Sequence, residues 1–176
     1  MAAANIRRHI VLTGPPGVGK TTLIHKTCQG LQKAGIKVQG FYTEELREKG
    51  RRIGFDVVTL DGHRGQLARI ISDEPGSSRQ YKKDTPPVYV VDEVGKMELF
   101  SQRFVQAVRD LLAKPSSTIL ATIPIPKGRP IAFVEEIRSN REAVVFQISR
   151  ENRDHILEDI IQAVIDSYKR SSQVSL

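Results

Sequence analysis

The 176-residue chain has a single cysteine, Cys28, and no tryptophan. One thiol forbids an internal disulfide, so backbone and packing alone must hold the fold, and that usage fits a reducing compartment. Aromatic residues make up 6% of the chain. They are not interleaved with its cations in the way a stacking platform for unpaired bases requires. No apolar run approaches the roughly 20 residues of a membrane helix. Met1 to Arg8 lacks the apolar core and small-residue cleavage site of a secretory signal. Internal repeats and low-complexity tracts are missing as well. The four histidines, His9, His25, His63 and His155, show no metal-ligand spacing and read as structural or surface residues. Together these absences point to a cytoplasmic protein, with the nucleus left open.

What the chain does have is 39% apolar residues, with Val, Ile and Leu runs along its whole length. Residues 1–176 therefore suit a single domain around one core, with 170–176 as a frayed tail. The formal net charge is +7 and the isoelectric point about 9.7, a balance that favours anionic partners. The densest cationic group, Arg47, Lys49, Arg51 and Arg52, is interrupted by Glu48. Cations this scattered read first as a solvated basic surface, ahead of a nucleic-acid footprint.

Hydrophobic periodicity alternates between strand and helix. His9 to Leu12, Lys37 to Thr43, Ile53 to Leu60, Val88 to Val91, Thr118 to Ile123 and Ala143 to Ile148 read as strands. Thr21 to about Ala34, ending at Gly35, reads as a helix, as do Phe100 to Leu112 and Ile131 to Ile137. A last helix capped by Asn152 or Asp154 is expected to run to about Lys169. Arg47 to Arg52 reads as a charged turn, and Ile71 to Pro87 as a polar loop. Strands alternating with helices imply an α/β fold of three layers, a mostly parallel sheet flanked by helices. Ligands of such sheets bind at the carboxyl ends of the strands.

Gly14-Pro15-Pro16-Gly17-Val18-Gly19-Lys20-Thr21 satisfies the pattern G-x-x-x-x-G-K-[ST]. A chain wrapping a phosphate must turn successive backbone N–H groups inward, and glycine permits the necessary dihedrals. The helix opening near Lys20 adds its positive end. Lys20 can reach the β- and γ-phosphates, and the Thr21 hydroxyl can ligate Mg²⁺. The motif follows an apolar strand and opens an amphipathic helix, the context that separates a P-loop from a chance glycine-rich turn.

Val88-Tyr89-Val90-Val91-Asp92-Glu93 is the second element. Its apolar run ends in acids, so a buried strand delivers carboxylates at its carboxyl end. Asp92 is placed to hold magnesium through water, and Glu93 to polarise an attacking water. Thr43, Glu44 and Glu45 end another strand and are secondary candidates. Lys96, Lys127 and Arg129 follow strands in loops where a cation would neutralise γ-phosphate charge, although each taken alone reads first as a surface cation. Cys28, on the P-loop helix, reads as a packed core thiol.

These residues resemble those of the cancer-related nucleoside-triphosphatase family and its relatives from thermophiles. The similarity begins at Thr13 to Leu23 and continues through Gly40 to Glu45 and Arg51 to Asp56. It covers Val91-Asp92-Glu93-Val94-Gly95-Lys96-Met97-Glu98-Leu99-Phe100, then resumes at Thr122 to Pro124 and Glu151 to Arg153. The resemblance implies a RecA-like P-loop NTPase fold. It implies a slow, magnesium-dependent hydrolase, converting ATP, GTP, CTP or UTP to the diphosphate with little base selectivity, and a monomer. It places nucleotide contacts on Gly14, Pro15, Pro16, Gly17, Val18, Gly19, Lys20 and Thr21, and on Val88, Tyr89, Val90, Val91, Asp92, Glu93, Val94 and Gly95. The chain departs from the family between Arg69 and Val88, where relatives carry a longer stretch with a strand and a helix. A sheet edge or a gap next to the Asp92 strand is the expected consequence.

Other classes fit less well. A P-loop kinase of a small nucleoside or nucleotide acceptor would need an arginine-rich lid, and Lys127 to Arg138 is sparse in arginine. A nucleic-acid-coupled ATPase would use the positive charge. A GTPase switch lacks its Asn-Lys-x-Asp signature. A remnant that binds nucleotide without turnover would follow from the short middle segment.

Overall fold

The computed structural model describes residues 7–60, 64–65, 86–92 and 102–173. β1 (His9–Gly14) is an interior strand of the sheet, buried along its entire length. This strand pairs in parallel on both sides, with β6 (Thr118–Pro124) and with β7 (Ala143–Gln147). A strand so enclosed has water on neither face, which is why it reads as a continuous apolar run. The polypeptide then enters α1 (Lys20–Lys33). This helix ends where the sequence indicates, with the amides of Gly35 and Ile36 turned back to the carbonyls of Gln32 and Leu31 at 3.0 and 2.9 Å.

Beyond β6 lies β5 (Val88–Val91), then β2 (Val38–Glu48), both parallel to it. At that edge β3 (Arg51–Thr59) and the short β4 (Arg64–Gly65) add antiparallel. The order across the 7-stranded sheet is β4-β3-β2-β5-β6-β1-β7. β5 is thus paired on both sides, by β2 and by β6. Neither the edge nor the gap expected beside the Asp92 strand occurs, because β2 closes directly onto it. Residues 66–85, which take in most of the Arg69–Val88 interval where the departure is expected, lie outside those described.

Side-chain alternation sorts the core into two layers. On one face Ile10, Leu12, Val88, Val90 and Leu120 meet Leu23, Ile24, Cys28 and Leu31 of α1, and Ile160 and Val164 of α4 (Leu157–Gln173). On the other, Val11, Val91, Ile119, Ala121 and Ile123 meet Val108 and Leu112 of α2 (Gln102–Ala113). Phe133, Val134 and Ile137 of α3 (Ala132–Arg138) complete that layer. These are the three layers of the expected α/β architecture.

Some boundaries differ from the sequence reading. β2 runs through to Glu48, and the charged turn contracts to Lys49-Gly50. Pairing Glu48 with Arg51 and Glu44 with Asp56 extends the hairpin into the charged residues. α4 begins at Leu157, because Asn152 is engaged in an earlier turn. Its side-chain oxygen accepts from the Ser149 amide at 2.9 Å and its own amide donates to Ser149 Oγ at 3.3 Å. Nor is the chain frayed from Arg170: α4 continues to Gln173, and Ser171 is buried, accepting from the Thr118 hydroxyl at 3.1 Å.

Candidate functional site

β1 rises into Gly14 and the chain then loops over its end. Gly17 and Gly19 take positive φ values of 72° and 110°, conformations in which a β-carbon is penalised. Gly19 is the N-cap of α1 and offers no side-chain bond, and the first turn contains no acid. The positive end of the helix therefore meets no carboxylate of its own first turn, an arrangement suited to an exogenous anion. Lys20 lies against this loop, its ammonium donating to the carbonyls of Gly14 at 2.7 Å and Pro15 at 3.1 Å.

Asp92 leaves β5 two strands away from β1 and is completely buried. Its backbone amide donates to the carbonyl of Phe41 on β2 at 3.1 Å. One carboxylate oxygen accepts from the Thr21 hydroxyl at 2.8 Å and the other from the Thr122 hydroxyl at 2.6 Å. Three elements thus converge on one carboxylate: the first turn of α1, the end of β5 and the end of β6. The sequence reading placed Thr21 and Asp92 at one centre, and the structure brings them into contact. Thr122 belongs to a segment that resembles the family, but the sequence alone assigns it no role. Its part depends on strand order, which a local pattern does not carry.

Val88, Val90 and Val91 direct their side chains into the core, with Tyr89 partly buried against it. The carboxyl end of their strand presents Asp92. Glu93, Val94, Gly95 and Lys96 lie outside the described residues. Thr43, Glu44 and Glu45 belong to β2 by their backbone pairing with Val57, Asp56 and Phe55. Lys127 and Arg129 are exposed on the loop that follows β6.

Two arginines tie neighbouring elements to the site. Arg138 of α3 donates to Thr13 Oγ1 at 3.3 Å and to the Pro124 carbonyl, tying α3 to the carboxyl ends of β1 and β6. Arg153, in the turn before α4, donates to the Val18 carbonyl at 3.3 Å. Cys28 is buried in the α1 layer, and its thiol is pushed up to about 12, chiefly by burial and then by the negative charge of Asp92. A thiol so held is inert, as a packed core residue should be. A hollow of ≈ 520 Å³ beside Gln29, Gln32 and Lys33 is open to solvent and touches none of these groups. No helix among the described residues is long and apolar enough to cross a membrane.

A glycine-rich loop opening a helix, a buried acid two strands away and a strand between them define a P-loop NTPase of RecA-like fold. Comparison with known proteins agrees. The family model described as NTPase matches residues 9–84 and 77–161, and the chain belongs to that family. It is 50% identical to the cancer-related nucleoside-triphosphatase of Homo sapiens over 188 residues, covering 92% of this chain and 99% of that one. The alignment is longer than the chain itself, so it contains positions this chain lacks, in keeping with a shortened middle. A solution structure of a human cancer-related nucleoside triphosphatase superposes with a TM-score of 0.70 at 48% identity, covering 89% of this chain and 97% of the other. The crystal structure of THEP1 from the hyperthermophile Aquifex aeolicus gives 0.65 at 35% identity, covering 89% and 98%.

Proposed function

We propose that this chain is a magnesium-dependent nucleoside-triphosphatase that converts ATP, GTP, CTP or UTP to the diphosphate and phosphate with low base selectivity. The observation that carries this reading is the contact between Thr21 and Asp92. A P-loop hydroxyl and a strand-end acid, 71 residues apart in sequence, meet at 2.8 Å beside the positive end of a helix. The names of the relatives point the same way.

The donor set fits magnesium. The Thr21 hydroxyl and Asp92 carboxylate are hard oxygen ligands, and this ion is commonly held by one or two protein oxygens together with water and substrate phosphates. Thr21 and Asp92 would hold it, Asp92 through water. Bound there, it neutralises charge on the β- and γ-phosphates. The amides of Gly14 to Thr21 bind the phosphate chain. Lys20 leaves its carbonyl partners for the β- and γ-oxygens, a charge-assisted exchange that favours phosphate. Glu93 orients a water and accepts its proton as the water oxygen bonds to the γ-phosphorus. The bond to the β–γ bridging oxygen breaks, its electron pair leaving with the diphosphate. The protein acts as a monomer in the cytoplasm or nucleus.

The test is phosphate release from each of the four nucleotides, with and without Mg²⁺, beside Lys20→Ala and Glu93→Gln. Release from all four is expected, with a requirement for Mg²⁺. Lys20→Ala should lose nucleotide binding. Glu93→Gln should bind normally and turn over about 10²–10⁴-fold more slowly. Unchanged turnover in Glu93→Gln would remove that residue from the mechanism, and no release from any nucleotide would sink the hydrolase reading itself.

A further inference from the structure

The sheet order gives the site a direction. β5, which carries Asp92, lies two strands to one side of β1, and β7 lies immediately on the other side. A phosphate chain seated on the P-loop with its terminal phosphate at Asp92 extends its nucleoside end away from β5, toward the loop that follows β7. A cleft of ≈ 370 Å³ opens there, between Pro15, Pro16, Gly17 and Val18 on one wall and Ser149, Arg150 and Glu151 on the other. Its size falls within the roughly 300–1,000 Å³ of small-molecule sites.

The outer wall is rigid. Ile148 donates its amide to the Thr13 carbonyl at 2.7 Å, fixing the start of the loop to β1. Ser149 and Asn152 cap one another, and the Asn152 amide group donates to the Gln147 carbonyl at 2.8 Å. Arg153 closes the turn onto Val18. The polar side chains at the wall are of two kinds. Glu151 is engaged locally, its carboxyl held below the usual range by the Ser149 side chain and by its own backbone amide. Arg150 is exposed at the rim. A planar guanidinium stacks on the face of any base, whereas reading one base requires donors and acceptors fixed against its edge.

We propose that this cleft takes the ribose and base of the nucleotide, and that Arg150 covers the base by stacking, a contact indifferent to base identity. The proposal rests on the nucleotide-binding reading above and assigns to the β7–α4 loop the tolerance attributed there to the whole enzyme. It also separates the two ends of the substrate: phosphates on Gly14 to Thr21, base on Ser149 to Glu151.

The experiment compares binding of ATP, GTP, CTP and UTP with that of inorganic tripolyphosphate, which has phosphates and no base. In the intact chain, backbone amide resonances of Ser149, Arg150 and Glu151 should move with each nucleotide and stay in place with tripolyphosphate. Arg150→Ala should weaken all four nucleotides by a similar factor, about five- to tenfold, and leave tripolyphosphate affinity as it was. Loop resonances indifferent to nucleotide, or equally sensitive to tripolyphosphate, would overturn the assignment. Loss of affinity for one base only would overturn the stacking role. Failure of the underlying reading looks different: Lys20→Ala would then bind tripolyphosphate and nucleotide as well as the parent does.

Discussion

The hydroxyl of Thr122 donates to Asp92 at 2.6 Å, and neither residue is exposed to solvent. The bond crosses two neighbouring parallel strands. Val91 pairs with Ala121, so Asp92 and Thr122 are the next step along β5 and β6. A buried carboxylate is tolerated only where donors satisfy it, and two hydroxyls do so here, one on each oxygen. Thr122 therefore sets the orientation in which Asp92 meets Thr21.

Thr122→Val keeps the shape and removes the donor. One carboxylate oxygen loses a partner in a buried setting, which costs about 1–3 kcal/mol. Loss of such a supporting bond commonly reduces metal affinity or activity by about 10–100-fold. The expected outcome is a higher magnesium concentration for half-maximal phosphate release, with Thr122→Ser restoring the parent value. A magnesium dependence identical in Thr122→Val and parent would show that Asp92 needs no orientation from β6.

The pairing of Thr122 with Asp92 marks where the sequence stops being legible. The P-loop is a contiguous pattern between a strand and a helix, and each part is recognisable from its neighbours. The Asp92 strand is recognisable too, as an apolar run ending in acids. Which strands lie side by side is not a property of any one segment, so Thr122 carried no signal of its role until β6 was placed between β1 and β5. Local errors had local causes. Asn152 has the chemistry of a helix cap, but its side chain is engaged in the turn at Ser149 and not at the start of α4. The charged residues before Lys49 looked like a turn because charge usually marks solvent. An antiparallel hairpin that sets Glu48 opposite Arg51 accommodates the same residues.

Gly40 controls the other side of Asp92. Its φ is 144°, and a β-carbon there would lie 1.9 Å from the Val90 carbonyl oxygen on β5. The obstacle is backbone, which cannot rotate aside. Gly40→Ala adds an unfavourable φ to that overlap, and together they should destabilise the fold by about 2–4 kcal/mol. For a chain of this size that corresponds to a fall in Tm of about 5–15 °C. The separation of β2 from β5 also draws the Phe41 carbonyl away from the Asp92 amide, so nucleotide affinity in magnesium should fall while the variant is still folded. Thermal unfolding monitored by circular dichroism checks the first effect. A Tm within about 2 °C of the parent would mean that the two strands part without cost.

His9 makes stability depend on pH from the opposite end of the sheet. It is fully buried in β1. The Ile119 amide can only donate, so Nδ1 accepts its bond at 3.3 Å, and the ring proton resides on Nε2 facing the Leu112 carbonyl at 3.2 Å. Both ring nitrogens are satisfied in the neutral form. Adding a proton to Nδ1 breaks the Ile119 bond and places a charge in the core. Burial first, and then the positive Arg8, hold the imidazole down at about 4 against an ordinary 6.5. Between those values the unfolded chain binds the proton and the folded chain does not. The stabilisation is therefore complete above pH 6.5, declines as pH falls toward about 4, and changes no further below that. Its size is about 3 kcal/mol, from about 1.4 kcal/mol per pKa unit. Carboxylates titrate over part of the same range, so the check is a difference of differences. Urea unfolding at pH 7 and pH 4.5 should show a smaller loss of stability in His9→Gln than in the parent, by about 2–3 kcal/mol. Gln preserves a donor and an acceptor without a titration, which keeps the variant folded enough to measure. Equal losses in the two proteins would place the acid sensitivity elsewhere in the chain.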